Sequence, residues 1–583
     1  MMDRWRIQLG LLLLAVASSW LFFADGCRDD SQSELRRIQT LDGRQTQSQS
    51  QNHFATAMDF LEYFEQYTEN SAIEKIHTNL NQWTVSQRPA EGWIADPLFN
   101  RLPDQLRLRR DAAALSRLKF NFNDVLTLRE ATWTRDLAKV IVQQDLVGSQ
   151  WDRWLDEQAD TLGRGDTANL RSCIKIFDWV VRNIQLDPFE IVDATGLPAE
   201  RLIEVPPGVT RFAWQALLTG HGDAWTRARI LILIARQLDL PVVMLAVDKE
   251  SAPEPWLAAA VIGDRLYLFD PVMGLPFPDG DGRGVATLTE LVANPGWLRR
   301  LDLSNERRYG YSKRDLGNLV ALIDATEQAL SQRMKLIEAG LSGDAKMVLT
   351  AKPSVLRRRL TEHDAIQDAS LWTLPYFQWQ FARTMSGDRS FAARQLRDRR
   401  LFVDGSVLAK ARRLHFLGKI RGDSLDPGAT QLYLQCRVPD EIIEHIGDSA
   451  EARKQIGLSE RLPEEPVLRQ NLIAVTVSSI TEAKGTASYW LGLISQEDQN
   501  YDVAIAYLEK RTLAANPSGP WTHGASYNLA RVFELLGRRD GEAEKLRQAR
   551  ELYESVANTP QAHGNAIRAR QLGVSLDELE PDS

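Results

Sequence analysis

Along most of this chain apolar residues recur at three- and four-residue spacing, the mark of one buried helix face. FATAMDFLEYFEQY at 54–67 and DAAALSRLKFNFNDVL at 111–126 show it, and residues 53–149 are predicted to form a helical domain. LRSCIKIFDWVVRNI at 170–184 is a further amphipathic helix. Between 214 and 278 the pattern changes. A glycine turn at 220–223 opens a long apolar helix, Leu240-Pro241 ends it, and VVMLAV at 242–247 follows as a run of strand length. Val261 and Ile262, a Gly263-Asp264 turn and the apolar run 266–269 then predict a β-hairpin. From 286 to 480 helical periodicity returns, notably at 316–339, with one expected strand, KMVLTA at 346–351, stopped by Pro353. Trp372-Thr373-Leu374-Pro375 marks a break between segments.

The C-terminal part repeats itself. Ala487-Ser488-Tyr489-Trp490-Leu491-Gly492 returns thirty-eight residues later as Ala525-Ser526-Tyr527-Asn528-Leu529-Ala530. The first copy continues through Tyr501, Ala504, Ile505 and Leu508 to Pro517; the second, looser, runs through Leu535, Leu536, Gly537, Ala543 and Leu546. Small residues where two helices cross, aromatics in the gap and a closing proline resemble tetratricopeptide (TPR) repeats. That resemblance implies a TPR-like helical tail over 481–575. Two copies are few for a solenoid, so helices from 440–480 or 562–572 are expected to complete the stack. Its concave surface would take a peptide or protein partner. A plain helical hairpin packed on the core is the alternative.

Polarity shifts abruptly at the N-terminus. Arg4 and Arg6 precede an almost wholly apolar stretch, 7–24, and Ala24-Asp25-Gly26-Cys27 follows. Residues 1–27 therefore read as a targeting segment. Gly-Cys after an apolar run resembles a bacterial lipoprotein signal, with Cys27 as the lipidated first residue. Ala24 and Asp25 depart from that pattern, and an uncleaved single-span anchor is the competing reading. Either places the bulk of the protein in the cell envelope, outside the cytoplasmic membrane and tethered to it. Residues 28–52, ending QTQSQSQN, cannot bury a core and read as a flexible Gln/Ser-rich stalk.

The full 583 residues are 44% hydrophobic and 25% charged, a composition for several ordinary globular domains. A net charge of −8 carries no global nucleic-acid signature, and no Cys/His spacing points to a metal. One region, 383–421, is basic, with eleven Lys/Arg against three Asp. It reads as a solvated helix face with counter-charges supplied elsewhere in the fold; a contact surface for something anionic is the alternative. Cys173 and Cys436 could pair in an oxidising compartment or stand as buried free thiols.

The candidate chemistry lies in WQALLTGHGDAWTRARILILIARQLDLPVVMLAV, 214–247. Gly220, Gly222 and Asp223 form the turn, and Ala224 opens the helix. Together with the helix at 170–184, the Leu-Pro turn, the strand, the hairpin and Asp270-Pro271, this order and spacing is similar to the transglutaminase-like superfamily of thiol enzymes. The similarity spans 170–278, about a fifth of the chain. It implies an α+β fold: a transglutaminase-like (papain-like) core over 150–285 with a small antiparallel sheet, set in a mostly helical chain that continues as helix over 286–480.

In that family a G-x-G-x-C-x-(D/E) turn puts a cysteine on the first helical turn, where orphan N–H groups and the macrodipole favour the thiolate. A histidine opening a strand takes the proton, and an aspartate orients it. Here Ala224 stands at the cysteine position. Counting back from Asp270 places Pro255, or Trp256 with a one-residue slip, at the histidine position. Only Asp270 remains. The resemblance thus implies a pseudoenzyme with no catalytic residue and no cofactor. Its candidate cleft residues are Gly220, His221, Gly222, Asp223, Trp256 and Asp270.

His221 has two readings, a turn residue that hydrogen-bonds its own loop or a base working with Asp270. The first is favoured, because a base needs a nucleophile to activate. Thr226 lies about 200° round the helix axis from Ala224 and does not replace it in place. The expected function is a membrane-tethered envelope protein, catalytically inactive, binding a peptide or protein partner through the cleft or the tail. One alternative is an atypical hydrolase or amidase acting on peptides or peptidoglycan, using Thr226 or a water activated by Asp270 with His221. Another is a purely structural scaffold.

Overall fold

The structure is a computed structural model that describes residues 52–107, 112–145, 149–189, 207–385, 387–459, 461–556 and 558–579. The expected signal segment, Cys27 and all but the last residue of the 28–52 stalk lie outside the described residues. Among the described residues no helix is long and apolar enough to cross a membrane.

The chain is α+β and mostly helical. Its sheet has six strands: Val242–Val247 (β1), Glu254–Ile262 (β2), Arg265–Asp270 (β3), Leu275–Pro276 (β4), Leu319–Ile323 (β5) and Ile366–Leu371 (β6). The spatial order is β4-β3-β2-β1-β5-β6. All neighbours are antiparallel except β5 and β6, which run parallel. The small antiparallel sheet expected within 150–285 is therefore larger, is mixed, and draws two strands from the stretch expected to be helical. The cause is visible in LVALI at 319–323. All five residues are buried, and a short apolar run buried on both faces reads alike as strand or helix. The stretch 316–339 divides into β5 and a helix, Gln332–Gly340.

KMVLTA at 346–351 is not a strand. Side chains take the place of a ladder there. Gln237 bonds both the N–H and the C=O of Val348, while Glu338 accepts from the N–H groups of Leu349 and Thr350.

The sheet separates two cores. Val242, Met244, Ala258, Ala260, Tyr267 and Phe269 point to one; Val243, Leu245, Leu257, Ala259, Leu266 and Leu268 point to the other. That alternation is the period-2 signature of a sheet buried on both sides. It breaks once. Leu245 pairs with Leu257 but Ala246 pairs with Pro255, so Trp256 is the extra residue of a β-bulge. Its indole consequently joins the core of Leu257.

The first core is covered by Phe122–Gln143 (α1), Arg164–Asn183 (α2), Ala213–Thr219 (α3) and Ala224–Arg236 (α4). Every residue of α4 from Ala224 to Ala235 is buried, as expected of a helix enclosed by neighbours all round.

The C-terminal part is a run of helices: Pro466–Glu497 (α5), a short helix Tyr501–Ile505 continuing as a π-helix Ala506–Leu513, then Thr522–Asp540 (α6), Ala543–Ser555 (α7) and Ala562–Leu579 (α8). Two glycines of the repeat pack close against a neighbouring helix. A Cβ on Gly492 would come within 2.7 Å of Leu508, and one on Gly537 within 2.6 Å of Leu546. Of the helices expected to extend the stack, 466–480 belongs to α5 itself, and α8 packs on α7.

The basic stretch 383–421 draws counter-charges from distant elements. Arg399 pairs with Glu69, Arg400 with Glu482, Arg413 with Asp136 and Arg421 with Asp498. Arg412 and Arg413 are buried, so this is not a wholly solvated face. Cys173 and Cys436 are free and buried, and burial pushes each thiol up to about 12.

Candidate functional site

The helix tip forms from local backbone rules. Helix α3 ends at Gly220, whose φ of 76° is left-handed, the conformation glycine supplies at a helix C-terminus. His221 and Gly222 then pair in parallel with Gln185 and Leu186. Asp223 caps α4. Its Oδ1 accepts from the Thr226 N–H and from the Thr226 hydroxyl, each at 2.8 Å. Burial pushes the Asp223 pKa up against the pull of those two bonds. The Thr226 hydroxyl is thus engaged in the cap and buried. Ala224 follows, 2% exposed.

The space over the turn is taken by the tail. A Cβ on Gly220 would meet the Trp490 ring at 2.5 Å and the Trp521 ring at 2.9 Å. Trp521 lies 4.3 Å from the His221 ring and stacks on Tyr489 at 4.2 Å. Gln185 holds the loop that carries Trp521: its Nε2 donates to Pro520 O at 2.8 Å, and its Oε1 accepts from Gly524 N–H at 2.7 Å.

Two buried arginines complete this junction. Arg412 lies 3.5 Å from the Trp490 ring centre, a cation–π contact, and donates to Leu217 O and Asn183 Oδ1. Arg227, on α4, donates to the carbonyls of Ile184 and Val181 at the C-terminus of α2 and, at 2.6 Å, to Gln561 Oε1. Burial brings both guanidiniums down to about 10, so both are charged at neutral pH.

His221 pairs with Asp187, at 3.2 Å, and not with Asp270. Asp187 also accepts from Arg211 at 2.8 Å. Burial works to raise the Asp187 pKa, but His221 and Arg211 outweigh it and hold the carboxyl at about 2.

Asp270 belongs to a different assembly. It continues the Leu266 and Leu268 side of β3. Its Oδ2 accepts from the Tyr309 hydroxyl at 2.6 Å, and its Oδ1 accepts from the N–H groups of Val272 and Met273 at 2.9 Å. Trp256 Nε1 donates to the same Tyr309 oxygen at 2.7 Å, and its ring stacks on Tyr311. Burial raises the Asp270 pKa, against the pull of these bonds.

The expected cleft residues therefore fall into two groups. Trp256 and Asp270 meet through Tyr309 in the core that holds Leu257. Gly220, His221, Gly222 and Asp223 gather around Ala224, Ala216 and Thr226, on the side of the other core. Pro255 is a half-buried strand residue opposite Ala246.

The sequence did not point to Gln185, Asp187, Arg227, Arg412 or Tyr309. Asp187 lies only three residues beyond the recognised helix, yet no motif marks it. Among the described residues no group of three or more His, Cys, Asp or Glu is placed to hold a metal ion. Comparison with known proteins gives no match to any family model, curated protein or solved structure.

Proposed function

We propose that this protein is a non-catalytic envelope protein. An inactive transglutaminase-like frame, tethered to the membrane through the N-terminus, presents a TPR-like helical tail to a peptide or protein partner. The observation that carries this reading is the helix tip. Its first residue is Ala224, 2% exposed, and Trp490 and Trp521 close over the turn before it. A methyl group supplies no nucleophile. The surface where a thiol enzyme would take its substrate is engaged by the chain's own C-terminal helices, which moves partner binding onto the tail.

A second reading has one observation in its favour. His221 and Asp187 form an imidazole–carboxylate pair with side chains 20% and 30% exposed, an arrangement that can orient a general base. One assay separates the two. The full-length protein is offered a glutamine-donor peptide, a peptide amide and a peptidoglycan fragment, and no turnover above buffer is expected. Turnover abolished by His221→Ala or Asp187→Asn would establish the hydrolase instead. Partner binding is tested by a photo-crosslinker at Val503 or Val574, which are 37% and 58% exposed on the tail. A discrete envelope partner is expected there and not at Ile94, which is 84% exposed on the N-terminal region. Equal capture at all three positions would remove the tail as the binding element.

A further inference from the structure

A cavity of about 60 Å³ opens where α1, α2 and β4 meet α6 and α8. None of the helix-tip residues lines it. Six cationic side chains line it against three carboxylates. Four of the cations, Arg182, Arg531, Arg538 and Arg568, come from three different helices, and Lys175 adds a fifth. Two of the carboxylates are consumed inside the wall. Asp178 accepts from Arg182 at 2.8 Å and Arg531 at 2.9 Å. Glu534 accepts from Arg531 at 2.8 Å, Arg538 at 3.3 Å and the Tyr553 hydroxyl at 2.9 Å.

Donors are left over. The Arg531 side chain is 5% exposed, yet its Nε has no hydrogen-bond partner; the buried Arg568 Nε has none either. Buried N–H groups without acceptors are uncommon in folded proteins, and these two belong to arginines that line the cavity. Ile141, Ile174 and Leu275 form an apolar part of the wall and lower the local dielectric, which strengthens any charge pairing inside.

We infer that this cavity binds a small oxyanion, a phosphate or carboxylate group, gripped by Arg538 and Arg568, with the Nε–H of Arg531 as a further donor. Guanidinium forks match the planar spacing of such oxygens, and an excess of positive charge in a partly enclosed cavity selects anions over neutral ligands. The volume is many times what one water needs, so a compact oxyanion fits and a peptide does not. The site lies between the sheet domain and the tail, so the ligand stabilises their junction. This assignment is independent of whether the helix tip ever supported catalysis.

The test is calorimetric titration of the full-length protein in chloride buffer, with inorganic phosphate in one arm and malonate in the other. Saturable binding tighter than about 1 mM is expected in at least one arm, and the stronger arm tells phosphate from carboxylate. Arg568→Gln and Arg538→Gln should each weaken binding by about tenfold, the loss of one charge-assisted contact. Arg539→Gln, at an exposed arginine paired with Asp540, should leave binding unchanged. No saturable binding in either arm overturns the assignment, as does binding that survives both substitutions. Each variant is first melted without ligand. If Arg568→Gln unfolds, the half-buried Arg538→Gln carries the comparison alone.

Discussion

Asp270 has an acceptor role on each of its oxygens, toward Tyr309 on one side and toward two backbone N–H groups on the other. Asp270→Ala leaves three donors without an acceptor, two of them buried and the Val272 N–H part-buried. The expected cost is about 3 kcal/mol, read as a lower urea midpoint with unchanged slope; a loss below about 1 kcal/mol would show that water replaces the carboxylate. The pH dependence has a definite sign. Burial raises the folded pKa above 3.8, so the folded state binds the proton more tightly. This group therefore makes stability fall as pH rises from below 3.8 through the folded pKa. Asp187 has the opposite sign. Its folded pKa of about 2 gives stability that is present above 3.8 and lost as pH falls toward 2. Carboxyl NMR should show Asp187 ionised down to about 2, and His221→Ala should bring its titration up toward 3.8. An unmoved titration would mean that Arg211 alone holds the charge. At this scale Ala224 was legible as the residue that opens the helix. Arg227 and Arg412 were not. Their acceptors are carbonyls at helix ends far away in sequence, and a lone arginine gives no sign of such a partner.

Elements were legible where turn chemistry punctuates them. Gly263-Asp264 fixed the hairpin, and Asp223 fixed the start of α4. They were not legible where an apolar run was short, as at β5, or where side chains imitate a ladder, as at 346–351. The bulge at Trp256 was equally hidden, since a register shift depends on the partner strand. Candidate site residues followed the same division. The glycine turn could be read locally, whereas which core Asp270 faces could be known only once the sheet was assembled. Gly220 gives the prediction at this scale. Its left-handed φ and its packing against Trp490 both exclude a Cβ. Gly220→Ala should cost about 3 kcal/mol, of which backbone strain is about 1–2 and the collision with the indole is the rest. Near-UV circular dichroism should change with it, because Trp490 and Trp521 must shift. Gly296→Ala is the control: its φ is not left-handed and a Cβ there meets nothing within 4 Å. A similar loss at both glycines would refute tight closure of the tail over the turn.

Buried charge as well as apolar contact joins the sheet side to the tail, and the charge sets how the junction responds to acid. Glu497, at the end of α5, accepts from His415 Nε2 at 2.8 Å and Asn183 Nδ2 at 3.2 Å, with Arg182 at 3.7 Å. Glu534, on α6, is held by Arg531, Arg538 and Tyr553. Burial works to raise both pKa values, but the surrounding cations and donors win and hold each at about 2 against an ordinary 4.5. A depressed folded pKa gives stability that is complete above 4.5 and lost as pH falls toward 2, on the order of 3 kcal/mol per group. Glu497 takes its partners from outside the tail, so its protonation loosens tail from core, whereas the partners of Glu534 lie within the tail and its protonation loosens the tail itself. Urea midpoints measured from pH 7 down to pH 2 should therefore fall steeply below 4.5, with tryptophan fluorescence from Trp490 and Trp521 reporting the separation. Glu497→Gln removes one of the two titrating groups. It should lower stability at pH 7 by about 3 kcal/mol, because Arg182 loses a buried counter-charge and the Nε2–H of His415, kept neutral by burial, loses its charged acceptor. It should also flatten the acid slope, since glutamine does not titrate there. The two effects have one cause and must appear together. A variant that is weakened at pH 7 yet keeps the parent's acid slope would show that Glu497 acts through packing, and that the acid response of the junction belongs to other carboxylates.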